Sequence, residues 1–226
     1  MVAAFGGWND AGDAATGVID HLVELGRVEF AFELDPEDFY DYQENRPLLT
    51  REPDGTRSIQ WQTTEVLVLH LEERDLVLVS GPEPNMRWRT FCQRLLSAFR
   101  SVKPERVITL GALLADSPHR RPVPVSIDDT SYEGPTGIVG VLSQTCLDAG
   151  IPVTSIWASV PHYVAEPPNP KATLALLGAL EDVIDTTLEA RDLTHLAGVW
   201  ESRVNELADD DPDVATYISD LEERHD

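Results

Sequence analysis

Two cysteines in 226 residues, no apolar run near the ~20 residues of a membrane span, and only 17 Lys and Arg against 40 Asp and Glu set the first limits. Cys92 and Cys146 both fall on apolar faces of predicted helices, with no His or second Cys at metal spacing. Buried free thiols are therefore expected, rather than a disulfide framework or a zinc site. The formal charge of −23 disfavours nucleic acid, whose binding depends on clustered Lys and Arg displacing counterions. The start, "MVAAFGG", lacks a basic region and a small-residue cleavage site, so no secretory signal is read and a cytoplasmic location is expected. Also missing are the G-x-S-x-G nucleophile elbow and the HExxH zinc pattern, and Arg94 is the one base near a cysteine. No metal or cofactor is expected.

What is present is alternation. Val2 to Phe5 reads as a short strand, and Ala14, Ala15, Val18, Ile19, Leu22 and Leu25 recur at helical spacing until Gly26 closes the helix. "RVEFAFEL" alternates as a strand does. "LLTREPDGTRSIQW" places Asp54-Gly55 between two β-prone pieces, a hairpin signal, and "TEVLVLHLEERDLVLVSG" gives two further strands dense enough in apolar residues to be buried on both faces. A helix from about Trp88 to Val102, a strand "RVITLGAL", a helix from about Thr136 to Ala149 and a strand "PVTSIWAS" continue the order of an α/β fold with mixed pairing.

The proline-rich "AEPPNP" then ends the alternation, and a domain boundary is expected near Pro170, dividing residues 1–170 from a helical module, 171–226. Three helices are predicted there: Lys171 to Arg191, Asp192 to Ala208 and Asp213 to Glu223. Leu174, Leu177, Leu180, Val183, Ile184 and Leu188 form a stripe on the first, which is expected to dock on a core. From Glu181 onward there are fifteen acids and three arginines, about half the net charge of the chain. The last two helices are accordingly expected to project as an acidic surface suited to a basic protein partner, the alternative being that the acids serve only solubility.

Gly7 and Gly12 have the G-x-x-x-x-G spacing of a phosphate-binding loop, yet Asp13 and Ala14 stand where that motif needs Lys and then Ser or Thr. Asp10 adds a second negative charge. The stretch is better read as helix initiation, with Asn9 or Asp10 as the cap and Asp13 in the first turn. The functional reading of Asn9, Asp10 and Asp13 is a polar rim for an amine, a cation or a basic group of a partner.

Three further loops carry chemistry-bearing residues at the carboxyl ends of strands, where open α/β sheets build their sites. They are "SPHRRP" with His119 and Arg121, "YEGPTG" with Glu133, and "VPHY" with His162 and Tyr163. A His, a Glu and an Arg meeting there would suffice for acid-base chemistry on an anion. "EPNMRWRTF" adds Arg87 and Trp88, a pairing typical of protein contacts, although Trp88 is more readily read as core.

"GGWNDAGDAATG", "GPEPNMRWRTF", "GALLADSPHRRPVPV", "YEGPTGIVGVL" and "VPHYVAEPPNPKATLALLGAL" together resemble the bacterial, particularly actinobacterial, members of the proteasome assembly chaperone family, in the branch named after the second chaperone subunit. The resemblance spans nearly the whole chain. It implies a three-layer α/β/α sandwich with a mixed sheet, phosphorylase/hydrolase-like in topology, plus a C-terminal helical extension. It also implies a homo-oligomer, a trimer being one option. Relatives that act as chaperones can dock a C-terminal hydrophobic-Tyr-x tail, whereas this sequence ends "EERHD" and reads as trimmed at both ends. The leading expectation is thus a non-catalytic interaction or assembly protein. The alternative is a small-molecule enzyme of nucleoside phosphorylase or hydrolase type, using Arg87, His119, Arg121, Glu133 and His162.

Overall fold

The structure is a computed structural model that describes residues 1–209 and 212–224. Asp210, Asp211 and Asp226 of the acidic count, and the end of "EERHD", lie outside the described residues.

Among the described residues, nine strands and six α-helices follow the expected alternation, except that the short β8 (Val125–Ile127) forms at the end of a stretch expected to be loop. Strands β1 (Val2–Gly6), β2 (Arg27–Glu33), β5 (Glu65–His70), β6 (Asp75–Pro82), β7 (Val107–Ala115), β8 (Val125–Ile127) and β9 (Val153–Pro161) form one sheet in the order β2-β5-β6-β1-β7-β9-β8. β6, β1, β7 and β9 run parallel, while β2, β5 and β6 form an antiparallel meander and β8 pairs antiparallel with β9. β3 (Leu48–Arg51) and β4 (Arg57–Gln60) make a separate two-stranded ribbon turned at Gly55, whose φ of 88° suits glycine.

Alternation along β1 sets the layers. Val2 and Ala4 face α1 (Ala14–Glu24) and α4 (Pro170–Ile184); Ala3 and Phe5 face α2 (Trp88–Val102) and α3 (Ile138–Asp148). The result is a three-layer α/β/α sandwich with a mixed sheet. Phe91 anchors the second core, edge-on to Phe5 at 5.7 Å and to Phe39 at 5.3 Å. Cys92 and Cys146 are free thiols in that core, and burial pushes them up to about 12 and about 11.

The helix after Pro170 is shorter than its apolar spacing predicts. It ends at Ile184, where Asp185 turns left-handed (φ 50°), and the Glu181 carboxylate then accepts the Leu188 amide at 2.6 Å. Leu188 reaches the core from outside the helix. The buried face is Ala172, Leu176, Leu177, Leu180 and Ile184, with Leu174 and Val183 only half-buried at its margins. One apolar cluster joins these residues to the strands and to α1, so the core runs on past residue 170. α5 (Arg191–Asp209) lies against α4 and α6 (Pro212–Arg224) against α5. The outer side of α5 is not uniformly acidic: Leu196, Val199 and Leu207 are exposed beside Arg203 and Glu206.

Candidate functional site

The glycine loop joins β1 to α1, and backbone geometry accounts for both glycines. Gly7 has φ 106° and Gly12 φ 65°. A Cβ on Gly12 would sit 2.8 Å from Asn169 Cβ, because the Asn169 amide donates to the Gly12 carbonyl at 2.7 Å as α4 begins. Asp10 is buried, and its carboxylate accepts the Ala15 amide at 2.6 Å, the Thr16 amide at 3.3 Å and the Thr16 hydroxyl. An internal anion thus occupies the amides that a phosphate would use. Burial pushes this carboxyl up to about 6, against the downward pull of those three donors. Capping therefore falls to the Asp10 side chain across the intervening 3-10 turn, while Asp13, at φ 50°, directly precedes α1 and is exposed.

Asn9 is buried and serves α3. Its Nδ2 donates at 2.7 Å to Glu83 Oε1, which also accepts the first amide of α3, from Ile138, at 2.8 Å. Gly137 leaves room for this contact, since a Cβ there would fall 1.9 Å from Asn9 Oδ1. The expected polar rim is thereby divided: Asn9 and Asp10 point into the protein and Asp13 out of it.

The loops after β7 and β9 do meet, and what they build is a clamp on the C-terminal helices. Tyr163 accepts the His119 amide at 2.8 Å and bonds His119 Nδ1 at 2.8 Å. Asn205 Oδ1 on α5 can only accept, so Nε2–H donates to it at 3.1 Å and Nδ1 of the neutral ring takes the Tyr163 hydroxyl proton. Arg120 Nε donates to the same oxygen at 2.6 Å, and Lys171 Nζ donates to the His119 carbonyl at 2.5 Å while pairing with Glu201. His119 is 1% exposed and held neutral; burial lowers its pKa below the ordinary 6.5, and the Arg120 and Lys171 charges act in the same direction. Beside it, His162 lies 3.2 Å from Asp116, and the rings of His162, Tyr163 and Tyr217 stack edge-on at 5.6 to 5.9 Å.

Arg87 and Trp88 stand at the start of α2, on the other side of the sheet from α4 and α5. Arg87 pairs with Asp38 at 2.6 Å, and Trp88 rests on the second core with its Nε1 donating to the Pro84 carbonyl. Glu133 is exposed in the loop before α3, and Arg121 is exposed beside the clamp. Among the described residues, His119 bonds Tyr163 and Asn205 through its ring and Lys171 through its carbonyl. Sequence reasoning missed Asn205, Glu201, Tyr217 and Glu83. Each lies far along the chain from the group it serves, and no local spacing marks it.

Among the described residues no group of three or more His, Cys, Asp or Glu is placed to hold a metal ion, and no helix is long and apolar enough to cross a membrane. A shallow groove runs along α5, lined by Thr194, Gly198, Ser202 and Glu206 among others, and none of the sequence-derived candidates borders it.

Fold and site together define an α/β/α sandwich whose polar loops at the carboxyl end of the sheet bind its own helices. The PAC2 family model matches residues 4–208, and the chain belongs to the PAC2 family. It is similar to a PAC2 family protein from Streptomyces avermitilis, with 50% identity, a TM-score of 0.91 and coverage of 96% of this chain and 98% of that one. A proteasome-assembly chaperone homologue from Mycobacterium tuberculosis shares 46% identity, with a TM-score of 0.88 over 96% and 98% of the two chains. PbaB, an archaeal proteasome activator from Pyrococcus furiosus, shares the fold at 13% identity and a TM-score of 0.69, covering 91% of each chain. No curated protein matches this chain.

Proposed function

We propose that this protein works by protein contact, as an assembly-chaperone-like member of its family, and that it associates with copies of itself. One observation carries the reading: the groups best suited to acid-base chemistry are engaged in bonds that hold the fold. His119 has both ring nitrogens and its backbone amide bonded, and Asp10 accepts three donors. Large apolar side chains, in contrast, stand exposed, among them Trp8 on the glycine loop and Leu49, Ile59 and Phe30 away from it. The high identity to a proteasome-assembly chaperone homologue supports the same direction.

The net charge of −23 suits a partner with a basic surface, whose approach it would accelerate and whose binding salt would weaken. The test is to mix the purified chain with purified actinobacterial proteasome α subunits and follow complex formation by native mass spectrometry. A complex that forms at low salt and weakens as salt rises is expected. Absence of any complex, together with a thermal stabilisation by phosphate or nucleosides, would replace this reading by the enzymatic one.

A further inference from the structure

The β3–β4 ribbon is a two-stranded hairpin apart from the main sheet, an arrangement that is marginal in water unless something covers it. Its register puts Leu49 opposite Ile59 and Arg51 opposite Arg57. Residues two apart share a face, so both pairs lie on one side of the ribbon. Leu49 and Ile59 are 62% and 54% exposed. Arg51 and Arg57 are also exposed, and like charges directly opposite one another disfavour the pairing of their own strands.

The corner of the main sheet where β2 meets β5 carries the same arrangement with the opposite sign. Glu33 pairs with Glu65, and Phe30 pairs with Leu67 across the bulge in β2. Glu65 and Leu67 are two apart on β5, so both pairs again share one face. Phe30 is 57% exposed and both glutamates are exposed. The ribbon therefore has an exposed apolar pair, and the corner the exposed Phe30 beside the half-buried Leu67, each about 7 Å along the strands from a pair of like charges. Neither arginine forms an ion pair with either glutamate within the chain, among the described residues.

We infer that the ribbon of one copy docks face-on against the β2–β5 corner of a second copy, with Leu49 and Ile59 covering Phe30, and Arg51 and Arg57 meeting Glu33 and Glu65. The inference rests on the self-association proposed above and names the surfaces that carry it. Docking removes both like-charge conflicts at once and covers Leu49, Ile59 and Phe30. Because the two surfaces differ, the contact is head-to-tail, and copies joined this way close into a ring or exchange ribbons reciprocally.

The experiment is sedimentation velocity of the full chain across the micromolar range, on wild type, on Arg51→Glu/Arg57→Glu, on Glu33→Arg/Glu65→Arg, and on the fourfold variant combining them. Circular dichroism and thermal melts on each establish folding. Wild type is expected to self-associate, each double variant to associate at least about tenfold more weakly, and the fourfold variant to recover. If a charge reversal prevents folding, Arg51→Ala/Arg57→Ala and oxidation of a Phe30→Cys/Leu49→Cys variant replace it, the latter expected to yield chains linked between copies. A monomeric wild type would overturn both this inference and the self-association reading. Association unaffected by either double variant, or not recovered in the fourfold one, or no cross-link between copies, would overturn the inference alone.

Discussion

The carboxyl end of the sheet and the β3–β4 ribbon treat their polar groups in opposite ways. At the first, His119, Tyr163, Asn205, Lys171 and Glu201 form a chain of bonds that joins two loops to α4 and α5. On the second, Arg51 and Arg57 face each other with no ion pair to a carboxylate among the described residues, beside Leu49 and Ile59 in solvent. A region rich in His, Tyr and Arg at the mouth of an α/β sheet attracts a catalytic reading, yet here those residues hold the molecule together. The plainer hairpin carries the unsatisfied surface. Substitution should separate the two regions: changes at the clamp act on stability, and changes on the ribbon act on association.

The largest stability effect is expected from His119→Ala, which leaves Tyr163 and Asn205 short of a partner in a buried setting; about 2–4 kcal/mol is anticipated. Denaturant melts measure it, and hydrogen exchange should show α5 loosening with it. A change within about 0.5 kcal/mol would remove the clamp from the account. Next comes Asp10→Ala, which strips the carboxylate from the Ala15 and Thr16 donors and should cost about 1–3 kcal/mol. Gly137→Ala is expected to cost about 1–3 kcal/mol, because its Cβ would fall 1.9 Å from Asn9 Oδ1 and Asn9 must then yield its place against Glu83.

Two of the buried titrating groups, His119 and Asp10, oppose each other with pH. His119 titrates in the folded protein below its ordinary 6.5, so the unfolded chain binds more protons, and stability falls as pH drops through 6.5 toward the folded value. The Asp10 carboxyl is raised from 3.8 to about 6, so its contribution is fully present below 3.8 and is lost as pH rises through about 6. Comparing the pH dependence of stability in wild type, His119→Gln and Asp10→Asn resolves the two. The His variant should lose the fall on acidification and the Asp variant the opposite slope. The smallest stability effect is expected from Leu49→Ser on the ribbon, within about 0.5 kcal/mol, although association should weaken. A large loss of stability there would mean that the ribbon packs on its own copy.

Much of the fold was legible because it rests on local pattern. The helix from Trp88 to Val102, the hairpin at Asp54-Gly55 and the capping at Asp10 all follow from spacing, turn chemistry or a short carboxylate near a helix start. The end of α4 was not legible. Leu188 continues the apolar spacing of the helix, while the left-handed turn at Asp185 that ends it is set in three dimensions. The candidate site was half legible. His119, His162 and Tyr163 stood out by type and position, but their role depends on Asn205, 86 residues from His119, and on Tyr217. The paired charges of the ribbon and the sheet corner lay hidden for the same reason: Arg51 and Arg57, or Glu33 and Glu65, become neighbours only when the strands register.

Hydrogen exchange of the wild-type chain at low and at high protein concentration tests the contrast between the two regions most directly. The expected result is that residues 46–61 and the β2–β5 corner gain protection as concentration rises, while the segment around His119 is equally protected at both. A ribbon that stays unprotected at high concentration, with new protection at residues 116–121 or 128–137 in its place, would contradict the account.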